Sequence, residues 1–193
     1  MSGVWTDAEL LQRAGGGDES AFQLLYQRHR DPVFRFAYRL LGSAVEAEDA
    51  THDCFLGLLR NPGRFDPQQA SLRTYLYAAA RNLALKEHRL RKNDSPVTDD
   101  VQAEADRTGA PEPLRRLLDE ELASCVRKAI AGLEHLQREA LILFEYEELP
   151  LAEIAVIVGA DVGAVKSRIW RAREHLRKIL RPYFENRSHC EIT

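Results

Sequence analysis

The side chains best suited to bind a ligand lie near the C-terminus, where cations crowd one predicted helix. Residues 166–181 hold seven basic side chains against the single acid Glu174, although the whole chain carries a formal net charge of -3. Such a cluster suits a polyanion, because Lys and Arg replace the counterions condensed along nucleic-acid phosphates. A helical projection sets a few side chains opposite the apolar stripe: Lys166, Ser167, Trp170 and Arg171.

An outward Trp among cations favours contact with a sugar-phosphate backbone or with base edges in a DNA major groove. Arg168 and Arg173 add to the positive field of the same segment. The alternative for Trp170 is burial against the linker or another domain. A merely solvated helix would interleave both signs of charge more evenly.

A second cationic helix begins near Leu72. Its basic residues, set against Glu87, are Arg73, Arg81, Lys86, Arg89, Arg91 and Lys92. The side predicted to face away from its leucines combines rings with cations, as single-strand binding requires, since unpaired bases stack on rings: Thr74, Tyr77, Arg81, Leu85 and His88. Upstream, the loop NPGRFDPQQAS presents Phe65, which is either part of a pocket for an extruded base or an anchor to the core.

The helix predicted over residues 44–60 has a different outer side, with an apolar residue ringed by charges. That side consists of Glu46, Asp49, His52, Asp53, Leu56 and Arg60. The arrangement is typical of a protein docking patch, in which rim charges steer the partner. The alternative is a lone exposed leucine, which is common on protein surfaces.

The sequence offers no catalytic, metal or cofactor site. It contains no Gly-rich phosphate loop, no HExxH motif and no convincing pair of acid and base. The three cysteines lack metal-ligand spacing and predict reduced thiols, with Cys54 and Cys125 in the core and Cys190 exposed; a redox or metal role is the alternative.

Helical periodicity and helix caps dominate the 193 residues, so we predict an all-α protein. Capping boxes at Thr6 and Ser43 and the Asp31-Pro32 pair each indicate a helix start, and Gly42 a helix end. Apolar residues at helical spacing predict the core of an N-terminal bundle: Phe22, Leu25, Tyr26, His29, Val33, Phe36, Ala37, Leu40, Ala47, Ala50, Thr51, Cys54, Phe55, Leu58, Leu72, Leu76, Ala79, Leu83 and Leu90.

The C-terminal segment predicts a helix-turn-helix. A short helix over residues 151–158 precedes Gly159, which permits the turn, and Asp161, which caps the second helix. The second helix is held by Val165, Ile169, Ala172, Leu176 and Leu180.

Four parts follow along the chain. Residues 1–92 predict a helical domain, 93–113 a flexible acidic linker, 114–184 the smaller helix-turn-helix bundle, and 185–193 a polar tail. The linker prediction rests on three prolines and on six acids against one arginine.

The N-terminus lacks a basic start followed by an apolar core, and no stretch approaches the roughly 20 apolar residues that span a bilayer. We therefore expect a cytoplasmic protein without membrane insertion.

Three passages together resemble the extracytoplasmic-function (ECF) group of bacterial sigma factors. They are ESAFQLLYQRHRDPVFRFAYRLLGSAVEAEDATHDCFLGLLR, SLRTYLYAAARN and EYEELPLAEIAVIVGADVGAVKSRIWRARE, and their order and spacing are more specific than any one of them. The resemblance implies a non-enzymatic subunit of RNA polymerase that directs transcription initiation at chosen promoters.

The resemblance also implies a role for each surface. The docking patch, Asp49, His52, Asp53, Leu56 and Arg60, would bind the clamp helices of the largest polymerase subunit. The N-terminal domain would melt and capture the minus-ten element with Phe65, Ser71, Arg73, Tyr75, Tyr77, Arg81, Asn82 and His88. The helix-turn-helix would bind the duplex minus-thirty-five element with Lys166, Ser167, Arg168, Trp170, Arg171 and Arg173. An anti-sigma factor would control the protein, and the acidic linker would enter the polymerase cleft.

The chain departs from the family pattern at three places. Tyr75 replaces a usual Trp, His52-Asp53 replaces Gln-Glu, and Pro150-Leu151 replaces Ser-Tyr at the start of the helix-turn-helix. Two other functions stay open on the residues alone. One is a helix-turn-helix regulator that binds duplex DNA without polymerase, and the other is an enzyme.

Overall fold

The computed structural model describes residues 5–94 and 113–190, with side chains over residues 5–86 and 121–183. Within those ranges the chain is helical and has no strand, which confirms the all-α prediction. Eight α-helices and one 3-10 turn (Pro62–Arg64) follow in order: α1 Asp7–Gly15, α2 Glu19–Leu41, α3 Ala44–Arg60, α4 Leu72–Asp94, α5 Pro113–Ala131, α6 His135–Glu145, α7 Leu151–Val158 and α8 Val162–Cys190. The linker predicted over residues 93–113 falls largely outside the described residues.

Helices α1 to α4 form the N-terminal bundle. Their apolar stripes meet around Phe36, Phe55, Leu58 and Leu76, all essentially inaccessible to solvent. Most of the predicted core positions are buried or packed against the core, so burial of these stripes sets how the four helices pack. Leu90 lies outside the described side chains.

The helix ends at Thr6, Gly42 and Ser43 lie where the sequence predicts. Thr6 and Glu9 complete a capping box at α1, and the Ser43 side chain accepts from the Glu46 amide at α3. Gly42 ends α2 with a left-handed φ of 78°, a conformation that glycine adopts without strain.

The prediction of a helix start at Asp31-Pro32 is wrong, because Pro32 lies inside α2. Proline removes one backbone hydrogen bond and favours a break. Here the apolar stripe is continuous on both sides of Pro32, with Leu25, Val33 and Phe36 all buried. Tertiary packing therefore holds one long helix where the local signal indicates two.

Helices α5 to α8 form the C-terminal domain, in which α7 and α8 build the predicted helix-turn-helix. Gly159 makes the turn at φ 63° and ψ 43°, and the Asp161 carboxylate accepts from the Ala164 amide at 2.8 Å to cap α8. The N-cap of α7 is Pro150, which supplies no side-chain hydrogen bond, as its replacement of a hydroxyl residue implies.

Replacing Gly159 with Ala should lower the free energy of unfolding by about 1 kcal/mol, because the left-handed conformation disfavours a Cβ. Space is not the obstacle, since a Cβ would meet nothing within 4 Å. Denaturant titration of the variant measures the loss.

Gly57 supplies the matched control. It also has open space within 4 Å but lies inside helix α3, where Gly57→Ala should raise stability by about 1 kcal/mol. Equal effects of the two substitutions would contradict the conformational argument.

The two domains pack against each other: α4 lies on α7, and α2 contacts α6. This arrangement places the N-terminal half of α4 between the core of its own domain and the helix-turn-helix domain. We call this packing of the two domains the closed arrangement. It decides which of the predicted surfaces are open to a ligand.

Candidate nucleic-acid interface

The outer side of α8 matches the projection made from the sequence. Trp170 is 64% exposed, and Lys166, Ser167 and Arg171 are exposed beside it, while Val165, Ile169 and Ala172 are buried behind them. We call these four exposed side chains the reading face. In this structure Trp170 is not buried against the other domain, whereas the predicted linker, the other half of the alternative, lies largely outside the described residues.

Two cations predicted for the same surface have other contacts. The Arg168 Nη1 lies 3.5 Å from a carboxylate oxygen of buried Glu139. Arg173 donates from Nε and Nη2 to Glu145 at 2.8 and 2.5 Å, with its guanidinium over the Phe144 ring. The positive electrostatic field at the reading face therefore comes mainly from Lys166 and Arg171.

In the N-terminal domain, Ser71 and Thr74 define the start of α4. The Ser71 hydroxyl accepts from the Thr74 amide at 3.1 Å, and Ser71 itself is exposed. The Phe65 ring meets Tyr75 edge to face at a centroid distance of 5.7 Å. Both rings are partly exposed, so Phe65 packs against Tyr75 and is still partly open to solvent. Asn82, one turn beyond Ala78 on α4, is exposed.

The prediction that Thr74 and Tyr77 face outward is wrong in this arrangement, since both are buried. Arg73 and Arg81 are half-buried on the same side of α4. The reason is that this side of α4 forms the contact with the C-terminal domain. His88, predicted for the same surface, lies outside the described side chains.

Glu147, between α6 and α7, is one centre of this domain contact. Its carboxylate accepts from the Tyr77 hydroxyl at 2.5 Å and from Arg39 Nη1 at 3.2 Å. Arg73 Nη2 donates to the Glu147 carbonyl at 2.8 Å and lies 3.7 Å from its carboxylate. Burial and the hydrogen bond to Glu147 raise the pKa of Tyr77, so the phenol stays protonated and donates.

Glu139 on α6 is the second centre. Arg81 donates to its two carboxylate oxygens, from Nε at 2.6 Å and from Nη2 at 3.1 Å, in a two-pronged ion pair. The Glu139 side chain is 0% exposed, and burial raises the pKa of its carboxyl despite the opposing effect of Arg81 and Arg168. A third contact joins the Thr74 hydroxyl to Glu153 at 2.8 Å.

Sequence reasoning missed these acids, which we call the carboxylate cluster: Glu139, Glu147 and Glu153. A signal was present for Glu139, which shares a helical side with Ile142 and Leu143, both buried. An acid on an apolar stripe indicates a buried ion pair.

The docking patch on α3 is exposed throughout. Leu56 is 43% exposed, and Asp49, His52, Asp53 and Arg60 surround it at the surface. Val45 is 72% exposed and lies on the same side as Asp49 and Leu56 by helical spacing, so the apolar part of the patch is larger than the sequence indicated.

The Cys54 thiol is buried, and burial raises its pKa to about 12, which suppresses the reactive thiolate. Over the described part of the chain, no cluster of His, Cys, Asp and Glu has the makings of a metal site. No helix within the described ranges is both long and apolar enough to cross a membrane.

The sequence matches two conserved regions of bacterial sigma factors in the order of the two domains. Residues 25–94 match Sigma-70 region 2, and residues 123–176 match Sigma-70, region 4. Two relatives that match along almost their whole length are also sigma factors. The RNA polymerase sigma-H factor of Pseudomonas aeruginosa is 34% identical over 91% of this chain and 94% of its own length. The ECF RNA polymerase sigma factor SigW of Bacillus subtilis is 32% identical over 89% of this chain and 95% of its own length.

Solved structures show the same fold. CnrH, in complex with the cytosolic domain of CnrY, superposes with a TM-score of 0.67 at 25% identity over 91% of this chain and 97% of that one. The sigma factor RpoE of Bartonella quintana, in complex with the anti-sigma factor NepR, gives a TM-score of 0.68 at 24% identity over 83% and 96% of the two chains.

These likenesses cover both domains and nearly the whole chain. The protein belongs to the ECF RNA polymerase sigma factors, the family expected from its sequence. It is a transcription initiation factor that directs RNA polymerase to chosen promoters.

Proposed function

We propose that α8 binds the duplex minus-thirty-five element through the reading face, with Arg171 contacting base edges and Lys166 contacting phosphate. The observation that carries this proposal is Trp170, 64% exposed between cations on the second helix of a helix-turn-helix. A second helix of this kind enters the major groove, where an arginine reads guanine through two hydrogen bonds. Ser167 and, at the edges of the surface, Arg168 and Arg173 complete the predicted set.

The minus-ten element would bind at the start of α4. Phe65 and Tyr75 offer partly exposed rings on which an unpaired base can stack, with Ser71 and Asn82 exposed nearby. Arg73, Tyr77, Arg81 and His88 belong to the proposed surface, and the first three are those that contact the C-terminal domain in the closed arrangement.

Polymerase would bind at the docking patch, where apolar Val45 and Leu56 lie among Asp49, His52 and Asp53. An apolar centre with a charged rim suits the clamp helices of the largest subunit. Because the similar sigma factor RpoE has been solved in complex with the anti-sigma factor NepR, we further infer control by an anti-sigma factor. We also propose a cytoplasmic location, a non-enzymatic role, and the division into residues 1–92, 93–113, 114–184 and 185–193.

Transcription by reconstituted holoenzyme tests the proposal. The purified protein is combined with core RNA polymerase, and transcript starts are mapped on a fragmented genomic library. We expect starts that share two upstream motifs and that vanish when the protein is omitted. Starts without a shared motif would overturn the assignment of the two DNA surfaces.

The residues alone also left open a helix-turn-helix regulator that needs no polymerase. Membership of the sigma factor family rules out this alternative.

A further inference from the structure

His52 lies at the centre of the docking patch, exposed, with Asp49 one helical turn before it and Leu56 one turn after it. Histidine is the side-chain type whose charge changes between pH 5 and 8, whereas the glutamine usual in the family at this position is uncharged at every pH. We propose that the Tyr26 hydroxyl holds His52 as a neutral ring and that polymerase binds this neutral ring, so that protonation of His52 weakens docking. The inference rests on the docking assignment made above.

The His52 ring is held in place by Tyr26 on α2. The Tyr26 hydroxyl lies 3.3 Å from His52 Nε2, and the two rings are nearly parallel, with their centroids 6.3 Å apart. Tyr26 is itself fixed, because its ring meets the buried Phe55 ring edge to face at 4.8 Å. The half-buried phenol therefore sets the orientation in which the exposed imidazole meets a partner.

Arg30 on α2 sets the direction of the hydrogen bond between Tyr26 and His52. Its guanidinium hydrogen-bonds to Tyr26 and, at 3.1 Å, to the Glu48 carboxylate, and these contacts raise the pKa of Arg30. Because arginine can only donate, the Tyr26 oxygen accepts from Arg30, and the phenol hydrogen is left to donate to His52. Nε2 accepts a hydrogen bond only when the ring is neutral, with its one proton on Nδ1.

The charges around His52 act in opposite directions. On α2, the Arg30 guanidinium shares the Tyr26 oxygen with the imidazole and disfavours a second positive charge there. On α3, three exposed carboxylates within one turn attract a proton: Glu48, Asp49 and Asp53. Opposed influences of this kind leave the ring able to change its charge with pH.

Protonation of His52 would weaken what the patch offers to polymerase. The exposed carboxylates of Asp49 and Asp53 suit a cationic partner surface. A charged ring beside them cancels part of their negative field and presents a like charge to that partner. Docking also takes the ring out of water near apolar Leu56, which costs more for a charged group than for a neutral one. Both effects oppose binding of the protonated protein.

The pH dependence of polymerase binding tests the proposal. The full chain, labelled with a fluorophore, is titrated with core RNA polymerase, and circular dichroism follows its helical content at each pH. A histidine with the reference pKa is about nine-tenths charged at about pH 5.5, so a partner that binds only the neutral ring loses about tenfold in affinity relative to about pH 8. We expect a loss of that size for the parent protein.

Two substitutions fix the charge at position 52. His52→Gln is uncharged and His52→Lys is charged over the whole range, so neither should show the tenfold dependence, and His52→Lys should bind more weakly than His52→Gln at both ends. Any dependence that His52→Gln retains belongs to other groups and is subtracted. His175→Gln is the matched control, since His175 is exposed on α8, outside the docking patch. It should keep the pH dependence of the parent.

Tyr26→Phe tests whether the hydroxyl favours the neutral ring. Phenylalanine keeps the packing against Phe55 but cannot donate to His52 Nε2, so the ring is protonated more easily. The midpoint of the affinity loss should therefore move up by about half a pH unit. A purely structural role for Tyr26 would lower the affinity equally at every pH, and an unmoved midpoint in the folded variant would overturn the role of the hydroxyl.

Equal pH dependence of the parent and His52→Gln would overturn the proposal that the charge of His52 controls docking. A Leu56→Asp variant judges the docking assignment separately. If that variant binds polymerase as the parent does, the docking assignment fails, and this inference fails with it. If it binds weakly while the parent and His52→Gln respond alike to pH, only the role of the His52 charge is overturned.

Discussion

Leu56→Asp should weaken binding to core RNA polymerase by about 30-fold or more, because it places a charge at the apolar centre of the docking patch. Leu56 is 43% exposed, so the substitution disturbs no packed core. Helical content and thermal unfolding should stay near those of the parent protein. Affinity is measured by titrating core polymerase against the labelled protein.

Leu24→Asp is the matched control, since Leu24 is 49% exposed on α2 and lies outside the proposed patch. Its affinity for polymerase should equal that of the parent. Equal affinity of the Leu56→Asp variant, in a folded protein, would remove the docking assignment from α3.

Arg171→Ala should reduce discrimination for the minus-thirty-five element by about 5- to 150-fold, the equivalent of about 1–3 kcal/mol, because a guanidinium reads a base edge through two hydrogen bonds. Its neighbours Lys166 and Trp170 remain exposed on the same side of α8. Polymerase binding should not change. Competition between promoters with an intact and a scrambled upstream element measures the loss.

Lys178→Ala removes the same charge two helical turns further along α8, at another exposed position. This control should weaken binding to all DNA similarly and lower its salt dependence, without affecting discrimination. If both variants lose affinity without losing discrimination, α8 contributes field strength and not sequence readout.

The helix-turn-helix could be predicted almost completely, because each of its determinants is local. Gly159 and Asp161 act within a few residues of their own positions, and the stripe through Val165 and Ile169 follows from helical period. The exposure of Trp170 and Leu56 follows from the same projection. Their functional roles stay predictions.

The surface of α4 could not be predicted in the same way. Periodicity identified the side carrying Leu72 and Leu76, yet Tyr77, Ala80 and Ala84 are buried as well. A pattern along one helix shows which residues avoid water but not which domain covers a polar side. An arginine can bind either a phosphate or a glutamate, so the residue type at positions 73 and 81 does not show which partner it has.

At Pro32 the sequence prediction fails for the opposite reason: a local signal predicts a helix boundary, but the packing of the surrounding residues overrides it. The Asp31-Pro32 pair predicts a helix start on capping grounds. Buried Val33, Phe36 and Ala37 continue the stripe that Leu25 and His29 begin, and packing of that stripe outweighs the lost hydrogen bond.

The pairing of acids and cations across the domain boundary constrains how the protein can be recombined. Arg39, Arg73 and Arg81 are contributed by one half, whereas Glu139 and Glu147 are contributed by the other. A chimera that joins the C-terminal domain of another sigma factor to this N-terminal domain must carry acids at the positions of Glu139 and Glu147. Without them, the guanidinium groups of Arg39, Arg73 and Arg81 lose their counterions. Exchange of halves between this protein and another sigma factor should therefore preserve this charge match.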